Sequence, residues 1–340
     1  MRWGGGSVRG MSRRQLGHTF ADIISLENLL LAWREFSKGK RHRQDVQMFG
    51  WHLMDNLMRL NHDLTTKKYL HGTYQAFNIC DPKPRSIHKA SVRDRVLHHA
   101  VYRILYPFFD RKFIADSFSC REGKGTHKAL DRFHCFSQKV SRNNTSTCWI
   151  LKCDIRKFFA SIDQNTLLGI LSIHIQDEEI LWLLERIVRS FYSTRLGRGL
   201  PLGNLTSQLL VNIYMNEFDQ YVKHGLKVKY YIRYADDFVL LSNNKAWLIE
   251  QLPKMTRFLY QVLCLELHPN KVCIETLASG VDWLGWVHRF DHRVLRKGTK
   301  RRMFRRLEES ARKETVQSYL GLLKHGNTQK LQAAIKNISA

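Results

Sequence analysis

Two adjacent carboxylates, Asp236 and Asp237, stand in the segment Tyr234-Ala235-Asp236-Asp237, between the apolar runs Val228-Lys-Tyr-Tyr-Ile-Arg233 and Phe238-Val-Leu-Leu241. The pattern reads as two strands around a tight turn, with both acids at its tip. Like charges side by side repel, so a fold that keeps both there needs a compensating cation, and oxygen ligands suit Mg²⁺. Asp is also common in ordinary hairpin turns, so the tetrapeptide alone leaves both readings open. A further acid, Asp154, closes the run Cys148-Trp-Ile-Leu-Lys-Cys-Asp154. That run has the length and bulk of a buried strand, where a charge is costly unless paired or metal-bound. Three such carboxylates suit two divalent ions ~4 Å apart, which activate a hydroxyl and stabilise the leaving group of an in-line displacement at phosphorus. Asp163 fits a turn or a helix start instead.

Other segments offer weaker signals. Phe159, five residues beyond Asp154, is spaced so that its ring could pack beneath a sugar and exclude a 2′-hydroxyl, whereas Phe158 reads as core. Gly199-Leu-Pro-Leu-Gly-Asn-Leu-Thr-Ser-Gln208 is a turn-rich loop entering a helix near Ser207, where Gly203 permits close backbone approach and Ser207 suits a cap. Arg121 and Lys124, set among glycines, suit triphosphate contact or a solvated basic turn. Lys271, downstream of the hairpin, suits proton donation to a departing pyrophosphate or a plain surface position. Val281-Asp-Trp-Leu-Gly-Trp-Val287 is a second hairpin that would hold a primer strand or pack a sheet.

The elements around these residues follow from periodicity. Apolar residues at helical spacing predict two amphipathic helices between Asp22 and Leu64, broken around Lys38 to His42. An extended stretch, Tyr74 to Ile79, leads through Pro82 and Pro84 into a basic segment from Arg85 to Arg95, then a helix from Val92 to Leu105. Ser141 to Thr147 reads as a loop. Gln164 to Phe191 and Ser207 to Lys223 read as helices, Lys227 to Leu241 as two strands, and the tail from Arg296 as basic and helical. The expected organisation is a flexible basic arm over 1–20, followed by segments over 21–147, 148–290 and a helical tail over 291–340.

Composition sets the outer bounds. The 340 residues, 44% apolar and 11% aromatic, suffice for a large core. Fifty-five Lys and Arg against thirty Asp and Glu leave a net charge of +25, which favours a polyanionic partner such as nucleic acid over a membrane surface, since no long cationic amphipathic helix is present. Seven cysteines include no CxxC pair, which points to reduced thiols in a cytoplasm. Met1 to Gly17 is basic and glycine-rich with no apolar stretch behind it, so neither a signal peptide nor an anchor is expected, and Met11 is a second possible start. No run approaches ~20 apolar residues.

Taken in order, these segments resemble the reverse transcriptase family from about Arg85 to Val287. The palm signatures are Leu151-Lys-Cys-Asp-Ile-Arg-Lys-Phe-Phe159, Leu200-Pro-Leu-Gly-Asn-Leu-Thr-Ser-Gln208 and Tyr234-Ala-Asp-Asp237; the fingers match at Ser91-Val-Arg-Asp-Arg95 and Arg121-Glu-Gly-Lys-Gly125. The resemblance implies an α+β right-hand polymerase with an antiparallel palm sheet packed by helices: N-terminal helices and fingers over 21–147, a palm over 148–290 and a helical thumb over 291–340. It further implies RNA-directed DNA synthesis from deoxynucleotides on an RNA template and primer, passing through an RNA/DNA hybrid. Two Mg²⁺ ions, for which Mn²⁺ could substitute, would be held by Asp154, Ile155, Asp236 and Asp237. Phe159, Arg121, Lys124, Leu202, Gly203, Gln208 and Lys271 would meet the nucleotide; Arg85, Arg93, Arg95, Tyr234, Trp283, Gly285 and Trp286 would meet primer and template.

Where most of the family reads Gln-Gly and then Ser-Pro, this chain has Leu202-Gly203 and Ser207-Gln208. That departure, with Ser318-Tyr-Leu-Gly321 and Lys324-His-Gly-Asn327, resembles the diversity-generating retroelement branch. Its enzymes copy a template RNA with errors opposite adenines, alongside a small basic accessory protein and structured RNA, in bacteria or phage. A stand-alone bacterial enzyme of phage defence shares these motifs, and a catalytically silent RNA-binding protein would share the fold. No ribonuclease H, protease, maturase or endonuclease domain is expected in the remaining residues.

Overall fold

A computed structural model describes residues 15–80, 84–310 and 312–338, so most of the expected N-terminal arm, and Pro82, lie outside the described residues. Four helices open the chain where two were expected: α1 (Phe20–Ile24), α2 (Leu26–Ser37), α3 (Gln44–Trp51) and α4 (Leu53–Thr65). The break at 38–43 is the expected one. The others arise at Ser25, whose side chain accepts from the Asn28 N–H to start α2, and at His52, whose backbone leaves the helical region.

The hairpin β1 (Gln75–Ile79) and β2 (Arg85–Lys89) precedes α5 (Val92–Asp110), which runs one turn past its expected end, and α6 (Thr126–Val140). After the loop comes β3 (Trp149–Asp154), then α7 (Phe158–Ser161). The expected helix over 164–191 is two, α8 (Gln164–His174) and α9 (Glu178–Arg189), because Asp177 accepts from the N–H groups of Glu179 and Ile180 and starts a new helix. Asp163 caps α8 by accepting from the Thr166 N–H. α10 (Leu205–Gln220) begins two residues before Ser207, which is therefore buried within its first turn and is not its cap. A π-helical turn (Tyr221–Gly225) leads to β4 (Tyr231–Tyr234), β5 (Asp237–Ser242) and α11 (Lys245–Leu263). Short strands β6 (Cys273–Thr276), β7 (Val281–Trp283), β8 (Trp286–His288) and β9 (Arg293–Leu295) precede α12 (Lys297–Glu309), α13 (Lys313–Leu323) and α14 (Gln329–Ile338).

The described residues form two compact units, and the expected limits at 147 and 290 do not coincide with them. One unit comprises Met1–Phe113, Lys157–Glu217 and Val262–Cys264; the other Ile114–Arg156, Phe218–Gln261 and Leu265–Ala340. The first buries Leu29, Phe36, Leu57, Leu60, Leu64, Val96 and Leu97 among its helices. Within it the loop before α10 is fastened to β2: the His88 N–H donates to the Leu202 carbonyl at 3.0 Å, and Asn204 Nδ2 to the His88 carbonyl at 2.9 Å.

The second unit is built on an antiparallel sheet of order β4-β5-β3-β6. Ile150, Ile232, Val239 and Leu241 enter a core with Phe133 and Phe136 of α6, both hairpin tryptophans, Met303 and Leu307 of α12, and residues of the last two helices. The alternate residues Tyr231 and Phe238 pack at the opposite face with Phe218. Burial on both faces explains why β3 and β5 read as near-continuous apolar runs. Packing of α6 here, with the sheet, places 126–140 in the second unit rather than with the N-terminal helices.

His288, 3% exposed and 4.4 Å from the Phe133 ring, has its pKa pushed down to about 3 by burial. In the unfolded chain it titrates near 6.5, so from there toward pH 3 the unfolded state binds the extra proton and stability falls as pH falls. Thermal unfolding followed from pH 7 to 4.5 should show a declining midpoint, with a shallower slope in His288→Phe. An unchanged slope would exclude His288 as a source of acid sensitivity.

Candidate active site

The sheet register brings two of the three acids together. Asp154, last residue of β3, pairs with Asp237, first residue of β5, and Asp237 also pairs with Tyr234 at the end of β4. Ala235 and Asp236 form the two-residue turn, with Ala235 in the left-handed region at φ 55°. Such a backbone costs an alanine about 1–2 kcal/mol and persists only where its surroundings impose it. The Asp236 carbonyl accepts from the Ile155 N–H at 3.2 Å, tying the turn to the chain leaving β3. All of these residues belong to the second unit.

Burial, then the charge of Asp236, then the charge of Asp154 and a hydrogen bond with it, push the Asp237 carboxyl up to about 7, with Lys271 pulling the other way. Lys271 Nζ donates to Asp154 Oδ1 at 2.8 Å. Its backbone is placed for this, since the Lys271 N–H donates to His268, whose own N–H donates to the Asp154 carbonyl at 2.7 Å. Among the described residues no group of three or more His, Cys, Asp or Glu side chains is gathered closely enough to hold an ion as it stands. The donor set nonetheless suits a hard divalent cation: the carboxylates of Asp154, Asp236 and Asp237 lie at one strand end and its turn, and Lys271 supplies a single positive charge at Asp154.

The remaining expected residues are placed as follows. Phe159 is half-buried with its ring 5.6 Å from that of the buried Phe158, and its carbonyl accepts from the Leu200 N–H, within the first unit. Gly203 has φ 103°, and a Cβ there would lie 2.7 Å from Ile87 Cγ2, so the close approach expected of this glycine is to β2. Leu202 and Gln208 are half-buried. In the second unit, Arg121 Nη1 donates to the carbonyls of Ile114 and Ser117, and Lys124 Nζ to that of Ala115, so both charged heads brace their own loop. In the first, Arg93 and Arg95 pair with Asp63 and Asp45, each at 2.7 Å, while Arg85 is exposed. Trp283 and Trp286 are 2% and 1% exposed, which is the sheet-packing alternative for both rings. Leu284 and Gly285 between them, with positive φ, present the hairpin's turn. The Tyr234 hydroxyl accepts from Thr126 Oγ1 at 3.0 Å.

One residue pair escaped the sequence reading. Arg233 and Asp219 are each 0% exposed and form a bidentate ion pair behind the hairpin. An arginine inside an otherwise apolar strand was the available signal, since such a charge needs a buried partner.

A model of the family described as "Reverse transcriptase (RNA-dependent DNA polymerase)" matches residues 80–288. Protein YkfC of Escherichia coli (strain K12) is 24% identical over 255 residues, 64% of this chain and 65% of its own length. Group II intron-encoded protein LtrA of Lactococcus lactis subsp. cremoris is 24% identical over 290 residues, 65% of this chain and 46% of its own length. The chain thus spans 46% to 65% of the length of these relatives. Among solved structures, telomerase from Candida albicans in complex with a fragment of telomeric RNA aligns with 67% of this chain and 46% of its own, at 13% identity and a TM-score of 0.49.

Proposed function

Since the chain belongs to the reverse transcriptase (RNA-dependent DNA polymerase) family, we propose that it extends a primer on an RNA template by two-metal nucleotidyl transfer. The observation that carries this reading is the register that sets Asp154 beside Asp237 at the mouth of a two-residue turn holding Asp236. Asp154, Asp236, Asp237 and the Ile155 backbone would hold Mg²⁺, or Mn²⁺ in its place. When bound, the ions supply activation of the primer 3′-hydroxyl and neutralisation of the leaving pyrophosphate. Lys271, already at Asp154, is the side chain to give that pyrophosphate a proton as its bond to the α-phosphorus breaks.

Phe159, Leu202, Gly203 and Gln208 are assigned to the nucleotide, as are Arg121 and Lys124 once released from their loop carbonyls. Arg85, Arg93, Arg95 and Tyr234 are assigned to primer and template. Trp283 and Trp286 would act through the turn they support at Gly285. α12 adds a predominantly basic face of Lys297, Lys300, Arg301 and Arg305 around Phe304, with Glu308 its one acid, suited to a phosphate backbone. Primer extension on an RNA template with Mg²⁺ tests the reading; synthesis on neither RNA nor DNA templates would end it.

The finer reading is an error-prone enzyme of a diversity-generating retroelement, working with a small basic accessory protein and structured RNA. Its support is Leu202-Gly203 with Ser207-Gln208 before and within the start of α10, and the motifs 318–321 and 324–327 in the tail. Leu202 lacks an amide that could hydrogen-bond near a nascent base pair, so mispairs would be rejected less firmly. Leu202→Gln should lower errors at template adenines about fivefold, the worth of one net hydrogen bond. Sequenced products with an unchanged adenine error rate would discard this explanation.

A further inference from the structure

We propose that Arg233 is a positioning residue of the carboxylate hairpin: anchored on Asp219, its guanidinium fixes the Ala235 carbonyl and through it the orientation of Asp236 and Asp237. The inference rests on the nucleotidyl-transfer reading above and assigns that site a support lying entirely within the second unit.

The geometry has three parts. First, the anchor is rigid. Nε donates to both Asp219 oxygens at 2.8 and 3.0 Å, Nη2 donates to Oδ2 at 2.8 Å, and the Tyr231 hydroxyl donates to Oδ1 at 2.7 Å. Second, the fork is held on its other side. Nη2 also donates to Ser117 Oγ at 3.1 Å, while the Arg233 N–H donates to the Asp116 carbonyl and its carbonyl accepts from the Phe118 N–H, each at 3.0 Å. Third, the remaining arm reaches the turn: Nη1 donates to the Ala235 carbonyl at 3.1 Å. Ala235 is the residue held at positive φ, so this contact lies where the backbone is least able to keep its shape unaided.

The charge of Arg233 is met first by Asp219, with Asp236 a smaller influence, so what it chiefly gives the turn is placement. A lysine could not reproduce that, because a single ammonium cannot reach two carboxylate oxygens, a hydroxyl and a carbonyl in four directions.

The test compares Arg233→Lys, Tyr231→Phe and Ser117→Ala in the full chain, normalised to the folded fraction. One arm measures kcat and nucleotide KM for a DNA primer on an RNA template; the other measures Mn²⁺ affinity by titration calorimetry without nucleic acid. Arg233→Lys should lower kcat and weaken Mn²⁺ binding about 10- to 100-fold, as loss of support behind a ligand does, with KM little changed. Tyr231→Phe removes one bond to the same carboxylate while every bond of the guanidinium remains, and should cost both no more than about threefold. Ser117→Ala, a milder loosening of the fork, should cost about threefold. Wild-type kcat and Mn²⁺ affinity in Arg233→Lys, or equal losses in Tyr231→Phe, would overturn the proposal. Should Arg233→Lys not fold, Ser117→Ala decides, and no change there overturns it. If the wild type synthesises no DNA, the nucleotidyl-transfer reading fails, while the Mn²⁺ arm still judges Arg233.

Discussion

Asp236→Asn is expected to lower primer extension by about three orders of magnitude, since on the proposed reading it removes one ligand of the catalytic cations, several kcal/mol of charge stabilisation, and each 1.36 kcal/mol is tenfold in rate. Asp154→Asn and Asp237→Asn should behave alike. The informative companion is stability. Asp237 is half-buried beside two like charges, and burial first, then those charges, push its carboxyl up to about 7, so neutralising Asp236 relieves repulsion. The variant should therefore melt at or above the wild-type temperature in metal-free buffer while synthesis disappears, the opposition of stability and activity expected of a strained site. Single-turnover extension beside calorimetry checks both halves. Activity within tenfold of wild type would remove Asp236 from the machinery, and a large fall in melting temperature would make lost activity a folding effect.

Asp219→Ala should destabilise the chain by about 3–5 kcal/mol, because it leaves the Arg233 guanidinium buried without its counter-charge. The Tyr231 hydroxyl loses its acceptor in the same step. Urea unfolding monitored by tryptophan fluorescence is a suitable readout, since Trp283 and Trp286 lie in the core of the same unit. Replacing both partners by apolar residues, as in Asp219→Leu with Arg233→Met, should recover most of that loss. A single-variant cost below about 1 kcal/mol, the range of an exposed pair, would mean that water reaches the site.

Legibility in the sequence followed the range of each interaction. The strand 149–154 and the hairpin 231–242 were readable, because burial on both faces writes unbroken apolar runs around the acids. Helix existence was readable too, though boundaries were not. Asp177 splits one expected helix, a local choice among several polar residues capable of starting one, and α10 begins two residues before the expected Ser207. The tryptophans of β7 and β8 were ambiguous because period-2 alternation does not say which face meets the core. Arg233 and Asp219 were invisible as a pair: they stand fourteen residues apart, and only the return of the chain from α10 into β4 joins them. Lys271 likewise lies far from Asp154 in sequence, so spacing alone favoured a plain surface lysine, whereas the fold sets it on the carboxylate.

The segment Asp116–Phe118 runs alongside β4, exchanging hydrogen bonds with Arg233 on that strand's outer side. A sheet margin with unpaired amides is a template for other extended chains, and aggregation begins at such margins. Here the outer margin of β4 is closed by the protein's own backbone beside the residue that braces the turn. The opposite margin is β6, only four residues long and containing a glutamate, Glu275. Both ends of the sheet that presents the acids are thus poor seeds for intermolecular β-pairing.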